Sequence, residues 1–185
     1  MGTLFTAVYD RFLGKITDDM YMEFTPEDTI RDLQNLIEDA IPGFEFPRKN
    51  ISDYQIKIAE IDSSEVSEKD FVINDLLENG KVIVEHSCFN VNLSSEEINI
   101  LAILMMVAWL NRQIASIEMT RMKYSGTDFK MTSQANHLAK LLNLLAEAQR
   151  QSHHMQRLYK RRKTDEKGNI SSNWSVLREV NAIDY

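Results

Sequence analysis

The chain has 185 residues, of which 43% are hydrophobic and 26% charged, and its formal net charge is −7. This composition is typical of a soluble globular protein with one domain and an added lobe. The single Cys88 excludes an intramolecular disulfide, and residues 1–4 lack the start of a secretory signal, so we expect maturation in a reducing cytoplasm.

The charges are divided unevenly along the chain. Residues 1–92 contain 8 Lys and Arg against 19 Asp and Glu, whereas residues 93–185 contain 13 against 9. One interpretation is that copies associate with acidic and basic halves side by side, because complementary fields orient association. The other is that both halves are ordinary solvated surface, in which case self-association is insensitive to salt.

Two helices are predicted in residues 1–50, which we expect to form the N-terminal helical part of the core. Residues 4–16 place Phe5, Val8 and Phe12 on one helical face, and Gly14 marks the end of that helix. Thr25 as the cap and Pro26 at the first position begin a second helix that runs to about residue 41.

The pattern changes to a β type in residues 51–92. Tyr54, Ile56 and Ile58 alternate with polar residues as in a half-buried strand, and residues 71–73 and 81–84 are rich in β-branched side chains. The pair Asn79-Gly80 favours a tight type I′ turn, although the leucines before it also suit a short helix. We therefore expect a small β-rich lobe in the middle of the chain.

Two long helices are predicted in residues 93–163, where they complete the core. Ser94 and Glu97 stand in capping-box register at the start of the first helix. This helix is apolar nearly all round, so its own domain or another subunit must enclose it. Its apolar run, residues 98–110, is shorter than the roughly 20 residues that cross a bilayer, so we expect no membrane partner.

The second long helix runs from about residue 133 to 162. Its apolar stripe is predicted to contain Leu138, Leu141, Leu142, Leu145 and Ala148, extended by Met155, Leu158 and Tyr159. At about 1.5 Å per residue it is roughly 45 Å long, more than a core of this size needs. Its far end is therefore expected to project.

A basic run ends this helix and supplies candidate partner-binding residues: Arg157, Lys160, Arg161, Arg162 and Lys163. The run stabilises the negative end of the helix in one interpretation. In the other it contacts nucleic-acid phosphates or an acidic protein. The net negative charge and the lack of a recognisable helix-turn-helix core favour the acidic protein.

Residues 164–185 are predicted to form an extended C-terminal arm. Trp174, Ile183 and Tyr185 are isolated among polar residues and are too few to build a core. Isolated aromatic residues in a polar tail are typical interface anchors, while the alternative is that Trp174 packs on its own fold.

Motifs for catalysis and metal binding are absent from the sequence. It contains no His-Glu-x-x-His zinc motif, glycine-rich phosphate loop or nucleophile elbow. His153 and His154 are adjacent on a predicted helix and therefore point about 100° apart. The paired acids at 18–19, 27–28 and 38–39 lie at helix ends or on polar faces, where carboxylates are solvated. We expect a protein that is not an enzyme and that holds neither a metal nor a cofactor.

Five segments resemble a family of tailed-bacteriophage neck proteins, the head-to-tail connectors or adaptors: residues 9–23, 43–48, 119–138, 158–163 and 173–175. Residues 61–84 depart from the family pattern because they contain more β-rich residues. The resemblance implies a mainly helical subunit of a homo-oligomeric ring, commonly twelvefold, that docks on the portal protein. It also implies that the ring continues the DNA channel, contacts passing DNA non-specifically and meets the next neck or tail-completion protein.

By this resemblance residues 164–185 are the portal-binding arm, with Trp174, Val176 and Leu177 as anchors. The protein is then expected in the neck of the virion and, during assembly, in the host cytoplasm. The alternative from another class is an oligomeric DNA-binding packaging factor, similar to a small terminase subunit, that uses residues 157–163 on phosphates. The expected fold is mainly α, a helical bundle with two long C-terminal helices, a small β lobe in the middle and an extended C-terminal arm.

Overall fold

A computed structural model describes residues 2–16, 20–66, 70–74, 79–123, 131–164 and 170–172. Its helices are α1 (Thr6–Leu13), α2 (Met20–Glu23), α3 (Pro26–Ala40), α4 (Ser95–Lys123) and α5 (Met131–Arg161). Its strands are β1 (Tyr54–Gln55), β2 (Ile58–Asp62), β3 (Val72–Asn74), β4 (Lys81–Glu85), β5 (Cys88–Phe89), β6 (Arg162–Thr164) and β7 (Ile170–Ser172). The fold is mainly α with two long C-terminal helices and a small β lobe in the middle, as the sequence predicts.

The start of α3 and the end of α1 follow their sequence signals. The Thr25 side chain accepts a hydrogen bond from the Asp28 backbone N–H at 3.2 Å, and Pro26 is the first residue of α3. This cap satisfies one of the N–H groups that a helix start leaves unpaired. Gly14 follows the last residue of α1, where its N–H bonds the Asp10 carbonyl.

The first half of α4 lies at the centre of the core, with α1, α3 and α5 packed against it. Ile100, Leu101, Ala102 and Met105 are fully buried there. The prediction that this helix needs enclosure is confirmed, because its own domain supplies the surrounding helices over this stretch.

The segment Ser95–Met119 is long and apolar enough to cross a membrane by length and composition. The apolar run of residues 98–110 is itself shorter than a membrane span, as predicted, and the criterion is met because the helix continues well past residue 110. Central helices of folded cores meet the same criterion, and the buried residues of α4 contact the other helices of this domain.

The middle sheet has the order β2–β4–β3 and is antiparallel throughout. Ile56 and Ile58 were predicted to face inward, but they are 50% and 57% exposed, because the side chains of Ala59 and Ile61 are the ones that turn inward on β2. Gly80 has a φ of 76°, which suits the predicted Asn79-Gly80 turn, but this turn also includes Glu78, which lies outside the described residues.

A second, two-stranded sheet pairs β1 with β5 and ties the lobe to the N-terminus. Leu4 forms a β-bridge with Cys88, and the rings of Phe5 and Phe89 lie 4.6 Å apart between centroids. The aromatic contact joins residues that are distant in the sequence, so the lobe is fixed to α1 by packing.

The α4–α5 hairpin carries its own small apolar cluster beyond the main core. Leu110, Ile114, Leu141 and Ala148 are buried in it, and all its members come from α4 and α5. Leu142 was predicted to belong to this stripe, but it is 46% exposed, because its side chain lies to one side of the contact line. Among the described residues, this cluster is formed by α4 and α5 alone, and it lies nearer to Lys123 and Met131 than the main core does.

The C-terminal end of α5 was predicted to project, and this is wrong. Tyr159 is buried in the main core, which anchors that end. After it, β6 and β7 form an antiparallel pair in which Thr164 lies opposite Ile170. Residues 164 and 170–172 of the predicted arm therefore lie in a short antiparallel sheet, and residues 165–169 and 173–185 of the arm lie outside the described residues.

Two Leu→Ala substitutions test which side chains belong to the main core and which lie on the exposed flanks of the hairpin. Leu33 is fully buried, whereas Leu144 on the hairpin is 50% exposed. We expect Leu33→Ala to lower the free energy of unfolding by about 2–5 kcal/mol through cavity formation. Leu144→Ala should change it by about 0.5 kcal/mol or less. Urea denaturation measures both, and equal losses in the two variants would contradict this core assignment.

Candidate functional site at the basic end of the helical hairpin

A buried carboxylate joins the start of α4 to the end of α5. Glu97 is 2% exposed, and its Oε1 accepts a hydrogen bond from the Tyr159 hydroxyl at 2.6 Å. Its Oε2 accepts from the Ser94 backbone N–H at 2.6 Å and from Lys49 Nζ at 3.0 Å. The Glu97 backbone N–H donates to Ser94 Oγ at 3.3 Å, which completes the predicted capping box.

These hydrogen bonds decide the protonation states of Glu97 and Tyr159. Burial raises the pKa of Glu97, but the hydrogen bonds from Ser94, Tyr159 and Lys49 outweigh it, so the pKa lies below its ordinary value. Burial and the bond to the Glu97 carboxylate raise the pKa of Tyr159 to about 12. At neutral pH an ionised Glu97 therefore accepts from a neutral Tyr159.

Arg48 binds the same end of α5 from the connector between α3 and β1. Its Nη2 donates to the Tyr159 carbonyl at 2.5 Å and also to the Arg162 carbonyl. Its guanidinium carbon lies 4.3 Å from the centroid of the Tyr159 ring. The last carbonyls of a helix have no intrahelical partner, so Arg48 both satisfies them and places a positive charge at the negative helix end.

The predicted basic residues divide into two groups. Lys160 Nζ lies 3.9 Å from the centroid of the Phe46 ring, and Arg162 Nη1 pairs with Glu96 at 2.8 Å. These contacts hold the helix end against its own domain. The backbone of Lys163 pairs with Ser171, and its side chain lies outside the described residues. Arg157 and Arg161 remain exposed.

The two exposed arginines belong to a longer stripe on α5, which we name the basic stripe: Arg150, His154, Arg157 and Arg161. Spacings of four, three and four residues place them on one helical face, and all four are exposed. The sequence analysis missed Arg150 and His154 because it looked for consecutive charges. The helical spacing itself was readable from the sequence.

Four acidic residues of α3 are paired within the molecule. Arg31 pairs with Glu27 at 3.2 Å and with Asp28 at 3.7 Å. Arg112 of α4 pairs with two further α3 carboxylates, Asp32 at 2.7 Å and Asp39 at 3.1 Å. Arg48 and Lys49, from the N-terminal half of the sequence, likewise lie at the basic end of the hairpin. Positive and negative side chains of the two halves of the sequence therefore meet in the folded protein.

The hairpin exposes large apolar side chains near its other end. Met119 of α4 is 67% exposed, and Leu142 and Leu144 of α5 are 46% and 50% exposed. Leu141, Leu145 and Ala148 face α4, and helical geometry places Leu142 on one side of that line and Leu144 on the other. Both flanks of α5 therefore carry an exposed leucine.

The predicted arm anchors Trp174, Val176, Leu177, Ile183 and Tyr185 lie outside the described residues. The last described residues before them are those of β7, which is held in the sheet with β6. The position of the chain just before the predicted anchors is thus set by the end of α5.

One further acidic group has an unusual environment. Glu85 is 1% exposed, and its carboxylate accepts two hydrogen bonds from Gln34 Nε2, at 3.1 and 3.3 Å. Burial raises the pKa of Glu85 above its ordinary value, although bonds from Ser87 and Gln34 oppose the shift. Among the described residues, no group of three or more His, Cys, Asp or Glu could hold a metal ion. Glu85 therefore stands as a buried polar contact between β4 and α3.

Comparison with known proteins gives no relative for this chain: no protein-family model matches it, and neither a curated protein nor a solved structure is detectably similar to it.

The contact between Glu97 and Tyr159 can be tested with Tyr159→Phe. This change removes a hydrogen bond to a buried carboxylate, so we expect a loss of about 1.5–3 kcal/mol in the free energy of unfolding at neutral pH. The folded-state pKa of Tyr159, about 12, lies above the ordinary 10.0. The stability difference between wild type and variant should be complete below pH 10 and should disappear as the pH rises towards 12.

Tyr54→Phe is the matched control, because the Tyr54 hydroxyl donates to Glu38 at 3.0 Å in a partly exposed position. Urea denaturation at several pH values should give a smaller loss for this control. A Tyr159→Phe variant as stable as wild type at neutral pH would show that the contact does not hold the helix end.

Proposed function

We propose that this chain is a non-enzymatic virion structural protein, a head-to-tail connector of a tailed bacteriophage. In this proposal copies form a ring that docks on the portal protein in the neck of the virion, continues the DNA channel and presents its other face to the next neck component. The segments that resemble the neck-protein family support it, and the described surface adds independent support.

The observation that carries the proposal is the pair of exposed leucines on opposite flanks of α5. In the described part of the chain Leu142 and Leu144 are 46% and 50% exposed, beside a cluster to which only α4 and α5 contribute. In a ring each subunit contacts its two neighbours through two different surfaces, because head-to-tail contacts close a cycle without self-complementary patches. Two apolar flanks on a projecting hairpin fit that requirement, since both become buried when the ring closes.

The anchored end of α5 supports the portal-binding part of the proposal. Tyr159, Glu97 and Arg48 fix this end to the core, and β7 returns beside β6. Residues 173–185 therefore continue from a defined point on the subunit. A segment that leaves every ring subunit from the same position can contact a ring-shaped partner repeatedly, which raises the overall affinity by multivalency.

The ring contacts can be tested with Leu142→Glu and Leu144→Glu. Each substitution places a charge in a contact that is buried in the proposed ring, so each should prevent ring assembly on the portal protein of the same phage. The monomer should remain folded, because both side chains are exposed in it. Asn143→Glu is the control, since Asn143 is exposed on α5 away from both flanks. Electron microscopy of portal mixtures counts the rings. Normal rings from both leucine variants would contradict the assigned contacts.

The arm assignment can be tested by deleting residues 173–185, which removes Trp174 but keeps β7. We expect the truncated protein to unfold at the same temperature as the full chain, because the described core is unchanged, and to lose co-sedimentation with the portal protein. Wild-type protein and Trp174→Ala are measured beside it. Undiminished portal binding by the truncated protein would refute the arm assignment.

A further inference from the structure

We propose that the basic stripe of α5, Arg150, His154, Arg157 and Arg161, is a surface that binds the phosphates of duplex DNA without reading its sequence. The stripe spans eleven residues of one helix, which is about 16 Å. Because phosphates of one strand follow each other about every 3.4 Å along the duplex axis, the stripe covers the length of about five of them.

The arginine side chains are oriented along the helix in a repeated way. Arg150 Nε donates to the Ala146 carbonyl and Arg157 Nε donates to the His153 carbonyl, both at 3.3 Å and both four residues earlier. This use of Nε leaves the terminal nitrogens to interact outward. Guanidinium groups bind phosphate oxygens, like carboxylate oxygens, through two parallel hydrogen bonds, so these arginines suit an oxyanion ligand.

The neighbouring basic residues are committed elsewhere, which separates the stripe from the rest of the basic run. Lys160 lies over Phe46 and Arg162 pairs with Glu96. Within the stripe Arg150 pairs with Glu147 at 2.8 Å, but both side chains are more than half exposed, so water and salt weaken this pair. Arg157 and Arg161 are then the principal phosphate contacts.

An acidic face of a second copy is the competing occupant of the stripe. Asp32 and Asp39 of α3 are poor candidates, because both pair with Arg112, and Asp32 is partly buried. Glu27 and Asp28 form only exposed pairs with Arg31, which water and salt weaken as they weaken the pair of Arg150. We commit to DNA because its phosphates follow one another along the whole length of the stripe.

The position of this stripe on the wall of the DNA channel rests on the proposed function. The contact between the stripe and phosphates rests on the stripe alone. In a ring the stripe repeats once per subunit, so weak contacts act together. Contacts that read no bases allow DNA to slide past, as a conduit requires.

The experiment measures binding of the full chain to a labelled DNA duplex by fluorescence anisotropy between about 50 and 200 mM salt. With about three phosphate contacts, the logarithm of the binding constant should fall with the logarithm of salt concentration with a slope of about −2 to −3. Arg157→Ala with Arg161→Ala should weaken binding at least about tenfold at the low-salt end and reduce the slope by about 2.

Two further variants make the comparison decisive. Arg31→Ala removes one positive charge from another exposed arginine, beside Glu27 and Asp28, and should leave DNA binding within about twofold of wild type. Arg157→Lys with Arg161→Lys keeps the charges but removes the two-bond guanidinium geometry, so binding should fall less than in the double alanine variant while the salt slope stays near that of wild type. Circular dichroism melting checks that each variant is folded.

The DNA-binding proposal is overturned if wild-type protein does not bind at low salt, or if the double alanine variant binds like wild type. Portal co-sedimentation of the same proteins separates this result from the proposed function. Portal docking without DNA binding removes the stripe proposal and leaves the connector proposal standing. Stripe-dependent DNA binding without portal docking supports the stripe and refutes the connector, in favour of a packaging factor.

Discussion

The rest of the structure depends on the hydrogen bond between the Tyr159 hydroxyl and the buried Glu97 carboxylate. It joins the first turn of α4 to the last turn of α5, two points 62 residues apart in the sequence, and so fixes how the two long helices lie against each other. A buried carboxylate is tolerated only when its partners satisfy it, and here Ser94, Lys49 and Tyr159 do so together. The same contact determines which face of α5 is buried and therefore which arginines remain available.

Anchoring one end of the hairpin makes its two ends different. At the anchored end, Arg48 covers the last carbonyls of α5 and the exposed arginines form the basic stripe. At the other end, the small cluster of Leu110, Ile114, Leu141 and Ala148 leaves leucines exposed on both flanks. The exposed charges and the exposed apolar side chains therefore lie at separate places on the α4–α5 hairpin. A subunit of this kind can contact different partners at once. This separation is the physical basis of the proposed connector role.

Local signals in the sequence predicted most of the helical architecture. The Thr25-Pro26 start of α3 and the Ser94–Glu97 capping box depend on residues three or fewer positions apart, so their patterns are readable without the fold. The contacts of Arg48 with α5 were not readable, because they join residues 111 and 114 positions apart. Which side of this strand region faces inward was also predicted wrongly. Ile56 and Ile58 fit an alternating pattern, but only the pairing of β2 with β4 decides which side of the strand is covered. The basic stripe was recoverable from helical periodicity, whereas the basic run at the end of the helix identified only Arg157 and Arg161 of its four residues.

Under the connector proposal a tailed phage encodes this chain, and cryo-electron microscopy of the neck of that particle tests the central claim most directly. The connector account predicts a ring of this protein beneath the portal, with α4–α5 hairpins of neighbouring subunits in contact through the Leu142 and Leu144 flanks and with residues 173–185 against the portal. The same map shows whether the basic stripe faces the channel. A particle whose neck is fully accounted for by other proteins would contradict the connector role.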